Sequence, residues 1–217
     1  MSINTDITDI NLEDLSWGTV EKPTEKEEQP NPFNAGARRR KVELCEIPEK
    51  TIYRRCYGEI NLLEKMGIKD FEDGHSYHFI TGGDVDSLSF LKLVLLHQKL
   101  DYCLFSTWCM AADDILQFRK WIEEGTIKKC DAYVGEIFPN SYAVEWYMIK
   151  NMMIETGCGR VVSFKNHSKI FAGVGEKFAF VIESSANINT NPRTEQGVIT
   201  ISRDLFEFYK QYFDGIK

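Results

Sequence analysis

VVSFKNHSKIFAGVGEKFAFVIESSANINTNPRTEQGVITI, residues 161–201, is the stretch that decides the fold of this chain. It contains four apolar runs that are rich in β-forming residues, and polar side chains stand at the ends of these runs. Runs of this kind, bounded by turn-forming residues, are typical of consecutive strands. The pattern predicts strands at residues 161–164, 168–172, 178–183 and 198–201.

Polar side chains of three different chemistries lie at the ends of these predicted strands. His167 and Lys169 are two residues apart, so an extended strand projects both side chains to the same face. Asn187 follows the next apolar run, after a pair of serines. The lysine supplies fixed positive charge, the asparagine a neutral donor, and the histidine either a proton or a nucleophile. Together these side chains indicate a binding site for an anion.

The order of these residues resembles the half-site of the phospholipase D superfamily. The matching residues are His167-Ser168-Lys169, then Ser185-Ala186-Asn187, then Glu195 leading into another strand. The fuller family motif has an aspartate five residues after the lysine, where this chain has Val174, and a glycine where this chain has Ser184. The form without the aspartate is similar to the tyrosyl-DNA phosphodiesterase branch. The motif covers residues 167–195, within a wider likeness over 76–217.

The resemblance implies a metal-independent phosphodiesterase that works through a phosphohistidine intermediate. His167 is the implied nucleophile, while Lys169 and Asn187 hold the non-bridging oxygens as charge builds on them. Glu195 orients the histidine through a hydrogen bond, and Ser185 assists the phosphate or the turn. Because the family's active site uses two His-Lys-Asn sets and this chain has one, a homodimer with a shared site is implied.

Nucleic acid is the preferred substrate, because nothing in the sequence suggests a membrane-binding face. The further candidates for contact with phosphate or nucleic acid are Ser184, Arg193, Arg38, Arg39 and Arg40. The three adjacent arginines begin a four-residue basic run ending at Lys41, which is either solvated surface or a contact with the phosphate backbone. No cofactor and no metal are expected, since no histidine or acidic residue has the spacing of a metal site.

Composition is that of an ordinary globular protein, with 43% hydrophobic and 27% charged residues in 217. Six cysteines occur without a Cys-x-x-Cys pair, and several lie in apolar runs, so reduced, buried thiols are expected. The polar, acidic amino terminus does not read as a signal peptide, and no apolar run approaches the ~20 residues of a membrane helix. These features favour a cytoplasmic protein.

The acidity of the chain is concentrated at its amino terminus. The formal net charge is −7, and residues 1–30 contain eight acidic residues and two basic ones, so the remainder is at about −1. A net negative charge is unusual for a general nucleic-acid coat, which is normally basic. It does not exclude a nuclease, because a nearly neutral body leaves room for local basic patches.

Three segments are predicted along the chain: an acidic disordered tail at 1–36, an amino-terminal extension at 37–75 with a helix over 57–66, and a phospholipase D-like domain at 76–217. In the last segment strands and helices alternate. The predicted strands are 77–81, 102–106 and 131–137, and the predicted helices are 86–98, 110–124, 141–156 and 203–214. This alternation predicts an α/β fold with a mixed, largely parallel sheet sandwiched between helices.

Two other functions stay open. One is a catalytically degenerate module that binds DNA or a protein partner, which the replacement of the motif aspartate by Val174 favours. The other is a PP-loop nucleotide enzyme, because residues 81–87, TGGDVDS, resemble the Ser-Gly-Gly-x-Asp-Ser loop with one extra residue. The preferred interpretation of this loop is a glycine turn in which Asp84 or Asp86 caps the following helix.

Overall fold

The structure is a computed structural model that describes residues 58–63, 70–83, 85–189 and 193–217. The predicted tail, the basic run with Arg38, Arg39 and Arg40, and Asp84 lie outside the described residues. In the described ranges seven strands form one sheet, in the order β1-β7-β6-β5-β2-β3-β4. The strands are β1 (Ser76–Thr81), β2 (Leu100–Thr107), β3 (Cys130–Gly135), β4 (Val161–Phe164), β5 (Ile170–Gly175), β6 (Ala179–Ser184) and β7 (Glu195–Ile201).

Helices cover both faces of this sheet. They are α1 (Ser87–Leu95), α2 (Ala112–Glu123), α3 (Phe138–Ser141), α4 (Ala143–Thr156) and α5 (Arg203–Asp214). Buried residues of α1, α2 and α4 pack on one face, and α5 packs on the other. The α/β class with helices on both sides is therefore confirmed. The predicted helix at 141–156 corresponds to α4. Tyr142, whose backbone leaves the helical conformation, separates α4 from the short α3.

Parallel pairing is confined to β2, β3 and β4, and the remaining neighbours pair antiparallel. The sheet is mixed, as predicted, but its parallel share is smaller than the alternation of strands and helices suggests. The reason lies in the loops 165–169, 176–178 and 185–194, which join the later strands without a helix. A parallel connection needs a crossover of a dozen or more residues, so these short loops reverse the chain instead.

The core consists of two apolar layers, one on each face of the sheet. Alternate residues of the central strands belong to opposite layers. Phe105 of β2 and Phe171 of β5 face α2, where their rings lie 4.9 and 6.0 Å from that of Phe118. On the opposite face, Tyr133 packs on Phe213 of α5 at 4.7 Å. Because the central strands are buried on both faces, they read in sequence as nearly continuous apolar runs.

Residues of the extension contribute to the same core. The segment 58–63 is helical, in agreement with the predicted helix over 57–66, and Leu62 is buried in the layer that contains α1. Glu59 and Lys92 form a buried ion pair with 3.0 Å between their charged atoms. The segment therefore packs on the face of the sheet that α1, α2 and α4 cover, opposite the face covered by α5.

Four cysteines, Cys103, Cys109, Cys130 and Cys158, are free and buried, which confirms the prediction for these positions. Cys45 and Cys56 lie outside the described residues. Of the helices in the described ranges, none combines the length and the apolar character that crossing a membrane requires.

One edge of the sheet collects the loops that carry the predicted functional residues. The pairing directions place the carboxyl ends of β1, β2, β3, β4 and β6 at the same edge as the amino ends of β5 and β7. The loop 165–169 precedes β5, and the loop 185–194 follows β6. Ligands of open α/β sheets gather at such an edge. We call it the loop edge.

Candidate functional site

His167 and Lys169 contact each other at the loop edge. The ammonium nitrogen of Lys169 lies 3.1 Å from His167 Nδ1 and 2.7 Å from the backbone oxygen of His167. The ammonium also lies 3.5 Å from Nε2, and because it can only donate, the ring acts as the acceptor in this contact. His167 is exposed and Lys169 is half-buried. The two residues stand in the loop before β5, which begins at Ile170 and not at the predicted residue 168, so the loop and not an extended strand brings their side chains together.

Asn166 anchors this loop beneath His167. Its Nδ2 donates to Ser106 Oγ at 2.8 Å and to the Tyr133 backbone oxygen at 3.1 Å. Its Oδ1 accepts from the backbone N–H of Ser168 at 3.0 Å and from Ser168 Oγ at 2.7 Å. The residue is only 7% exposed. His167 is therefore held between two anchored neighbours, and its side chain alone points outward.

The serine pair after β6 forms a turn that is bonded to the start of β7. Ser185 Oγ donates to the Glu195 carboxylate and accepts from the backbone N–H of Gln196. Ser184 Oγ donates to the Gln196 backbone oxygen and accepts from the Ala186 N–H, both at 3.0 Å. Glu195 thus pairs with Ser185 in this chain, and Ser184 holds the turn. The backbone N–H of Ser184 donates to the Lys169 oxygen at 3.1 Å, which joins the two loops.

Asn187 stands between this turn and the amino end of α1. Ser87, the first residue of α1, donates from Oγ to the Ala186 oxygen at 2.6 Å and from its backbone N–H to the Asn187 oxygen at 3.5 Å. Ile188 N–H donates to Thr107 Oγ1 at the end of β2. Asn187 Oδ1 is enclosed and has no hydrogen-bond partner within the described part of the chain. This amide oxygen is an acceptor that no described hydrogen bond uses.

Burial sets the charge behaviour of Lys169. Its pKa is lowered, above all by burial, whereas Cys109 and Glu195 act in the opposite direction. Burial likewise raises the pKa of the Cys109 thiol, which hydrogen-bonds with Tyr142. Cys109 therefore stays protonated at neutral pH, which makes it a poor nucleophile.

Val174, which replaces the aspartate of the family motif, lies at the far end of β5 from the loop edge. It pairs with Ala179 and Tyr102 and packs in the apolar layer beneath α5. Five residues of extended chain separate it from Lys169, a distance of about 16 Å. The replacement therefore removes no charge from the immediate surroundings of His167.

The backbone N–H groups at the start of α1, after the glycine turn, already have an acceptor. Asp86 caps α1, and its carboxylate accepts from the backbone N–H groups of Leu88 at 2.9 Å and Ser89 at 3.2 Å. This confirms the preferred interpretation of residues 81–87 as a turn with a helix cap. Because Asp86 already takes these donors, the PP-loop alternative has no support here.

Arg193 and Glu195 lie at or just before the start of β7. Arg193 is exposed, two residues before β7, and Glu195 begins that strand. Among the described residues there is no group of three or more histidine, cysteine or acidic side chains arranged to hold a metal ion. The carboxylate of Glu195 is bonded to Ser185, and the imidazole of His167 contacts Lys169.

Sequence reasoning missed Asn166, Ser106 and Trp108. Trp108 follows β2 directly, and its indole ring lies 5.4 Å from the His167 ring, centroid to centroid. Asn166 stood in a polar run that indicated only a loop, and Ser106 in a strand that indicated only core. A large aromatic residue at the carboxyl end of a central strand was the one available signal for Trp108.

No protein-family model matches the sequence. No curated protein matches it either. Among solved structures the chain is similar to polyphosphate kinase from Porphyromonas gingivalis, at 17% identity and a TM-score of 0.48, over 67% of this chain and 24% of that one. It is similar to NucT from Helicobacter pylori, at 14% identity and 0.46, over 65% of this chain and 94% of that one.

A third similar structure is phosphatidylserine synthase from Haemophilus influenzae Rd KW20, at 14% identity and a TM-score of 0.44, over 63% of this chain and 37% of that one. At these identities the likeness concerns the fold alone.

Replacing Asn166 by alanine tests its role as the anchor of the His167 loop. The substitution removes the acceptor of the Ser168 N–H and the donor to the Tyr133 oxygen, so we expect the free energy of unfolding to fall by about 1–3 kcal/mol. Denaturant titration measures this loss. Asn151→Ala, at an exposed position of α4, is the matched control and should change the free energy little. Equal stability of the two variants contradicts the anchoring role.

Replacing Glu195 by glutamine tests the electrostatics of the site. The Glu195 carboxylate raises the pKa of Lys169 against the effect of burial, so its neutralisation lowers the pKa of Lys169 further. The amide oxygen keeps an acceptor for Ser185. Titration of the Lys169 Cε resonance by NMR should show loss of the ammonium at lower pH than in the unmodified protein. Glu176→Gln, in the turn at the far end of β5, is the control, and an unchanged Lys169 titration in Glu195→Gln refutes the coupling.

Proposed function

We propose that this chain is a metal-independent phosphodiesterase that cleaves nucleic acid through a phosphohistidine intermediate, in an active site shared by two copies. The observation that carries the proposal is the meeting of an exposed imidazole and a half-buried ammonium on an anchored loop, where His167 Nδ1 and Lys169 Nζ are 3.1 Å apart. A nucleophile and a cation in contact are the groups that attack on a phosphate diester requires.

Lys169 changes its partner when the substrate binds. In the free protein its ammonium donates to the imidazole and the backbone oxygen of His167. A phosphate oxygen carries negative charge and is the stronger acceptor, so it draws the ammonium away. This exchange leaves the imidazole lone pair free for attack. The enclosed carboxamide of Asn187 turns about its last side-chain bond and presents its NH₂ group to the phosphate.

The reaction proceeds in two displacements at phosphorus. In the first, a nitrogen of His167 forms a bond to phosphorus, the bond to the leaving oxygen breaks, and His167 of the second copy gives that oxygen a proton. In the second, water attacks phosphorus, passes its proton to the second copy's His167, and the nitrogen–phosphorus bond breaks. Lys169 and Asn187 bind the non-bridging oxygens as their charge increases.

The second copy supplies the acid and base that one chain lacks. Within the described residues, the carboxylate of Glu195 bonds to Ser185, and the ring of His167 bonds to Lys169. Neither group is placed as a proton donor to a leaving oxygen. Two loop edges related by a two-fold axis bring a second imidazole to the phosphate, which completes the set of catalytic groups.

Nucleic acid suits the exposure of the site. His167 is exposed rather than sunk in a cavity, so a long polymer can pass across the loop edge. Arg193 is exposed just before β7 and is available to pair with a neighbouring phosphate. A single-stranded oligonucleotide and phosphatidylethanolamine vesicles, offered in parallel, distinguish nucleic acid from lipid as the substrate.

Variants of the three site residues test the mechanism with bis(p-nitrophenyl) phosphate and an oligonucleotide as substrates. His167→Ala should abolish hydrolysis of both, because the nucleophile is lost. Lys169→Ala and Asn187→Ala should each lower kcat by about 10²–10³, the effect of losing a donor to a developing charge. An acid-labile phosphohistidine should be trapped in the unmodified protein but not in His167→Ala.

Matched controls keep this test specific. His78→Ala, at an exposed position of β1, and Lys177→Ala, in the turn at the far end of β5, should retain full activity. Hydrolysis that persists in His167→Ala, or that a chelator abolishes, overturns the mechanism. Binding of the oligonucleotide without any hydrolysis in the unmodified protein establishes the binding module instead.

Mixed dimers test the shared site. When unmodified protein and His167→Ala are co-expressed in equal amounts, random pairing leaves about one quarter of the dimers with two intact histidines. Total activity should then be about half of what independent monomers in the same mixture would give. Sedimentation of the unmodified protein should show a dimer, and an active species that sediments as a monomer contradicts the shared site.

A further inference from the structure

Trp108 is the one large aromatic side chain, in the described part of the chain, with a ring contact to His167. It follows β2 directly, and its ring centroid lies 5.4 Å from that of the imidazole, with 54° between the planes. The tryptophan is half-buried, whereas the histidine is exposed. An exposed imidazole in contact with a half-buried indole loses part of its freedom to rotate, because the indole occupies one side of its range.

The other contact of the His167 ring is with Lys169, whose ammonium lies 3.1 Å from Nδ1 and 3.5 Å from Nε2. Glu195, the residue expected to orient the imidazole, instead accepts a hydrogen bond from Ser185. When a phosphate takes the Lys169 ammonium, as in the proposed reaction, the ring loses this contact. Trp108 is then the described side chain that still limits the orientation of the nucleophile.

Trp108 is itself fixed in place from two directions. Its neighbours along the chain are bonded to each other, since Thr107 Oγ1 donates to the Cys109 oxygen at 2.7 Å. Its ring lies close over Gly135 at the end of β3, where an added Cβ atom would be 2.7 Å from Trp108 Cδ1. Only glycine leaves room for the indole at this contact, so the ring packs directly against the backbone of the sheet.

We infer that Trp108 is the positioning residue of the nucleophile: it holds the His167 imidazole in the orientation for attack while Lys169 is engaged with the phosphate. The inference rests on the proposed function and extends it to a residue outside the family motif. Stacking on a nucleobase is the competing role for an aromatic residue at this place. The observed contact favours positioning, because the indole already packs against His167.

The first test needs no catalytic activity. The chain has four histidines, so loss of signals in His167→Ala identifies the Cε1 and Cδ2 proton resonances of His167. A neighbouring indole ring shifts these resonances through its ring current. They should move towards free-histidine values in Trp108→Ala and stay in place in Trp146→Ala, a half-buried tryptophan of α4. Unchanged His167 resonances in Trp108→Ala overturn the inference, even if the protein proves inactive.

The second test separates positioning from base stacking by kinetics. Trp108→Ala should lower kcat about 3- to 10-fold with little change in KM, for both an oligonucleotide and bis(p-nitrophenyl) phosphate, which has no nucleobase. Trp108→Phe should recover most of the loss, because it keeps an aromatic face. Gly135→Ala, which displaces the indole without removing it, should lower kcat in the same way.

Two results decide against the inference in this test. A rise in KM for the oligonucleotide alone, at unchanged kcat, assigns Trp108 to nucleobase binding. Equal kcat values for Trp108→Ala and Trp146→Ala leave the indole without a role in catalysis. If the unmodified protein hydrolyses neither substrate, the proposed function fails, and the resonance test still decides whether the indole orients His167.

Discussion

The hydrogen bonds of Asn166 are the constraint on which the candidate site depends. One buried carboxamide joins β2 through Ser106, β3 through the Tyr133 oxygen, and the loop before β5 through Ser168. Each of these partners is itself part of the sheet or adjacent to it. A residue between two such anchors has little freedom in its backbone, so His167 presents its imidazole from a rigid support rather than from a mobile loop. Removing the carboxamide breaks its hydrogen bonds to β2, β3 and the loop at once.

The carboxyl end of β2 connects this anchor to the other parts of the site. Ser106 meets Asn166, Thr107 binds the Ile188 N–H beside Asn187, and Trp108 packs against His167. Three consecutive residues therefore contact the two loops that supply the candidate catalytic groups. Because β2 pairs with both β3 and β5, its end lies in the middle of the loop edge. A displacement of this strand end therefore moves His167, Asn166 and Asn187 together.

The position of Val174 clarifies which part of the family motif bears on chemistry. The valine packs under α5 with apolar neighbours, at the end of β5 opposite Lys169. An aspartate at this place would need polar partners within that layer, because burying an unpaired carboxylate is costly. Valine satisfies the packing of the layer without them. The histidine, lysine and asparagine of the motif occupy the loop edge, at the opposite end of β5 from Val174.

The sequence by itself determined the α/β class and the helix at 203–214, because these follow from local periodicity. It also predicted that Asp84 or Asp86 caps α1, and the structure shows Asp86 as the cap. Only the tertiary structure decided that β1 pairs with β7 and that Glu195 bonds to Ser185. The same holds for the contacts of Asn166 and Trp108 around His167. Asn166 and Ser106 are 60 residues apart, and no pattern along the chain records a hydrogen bond formed when two distant strand ends meet.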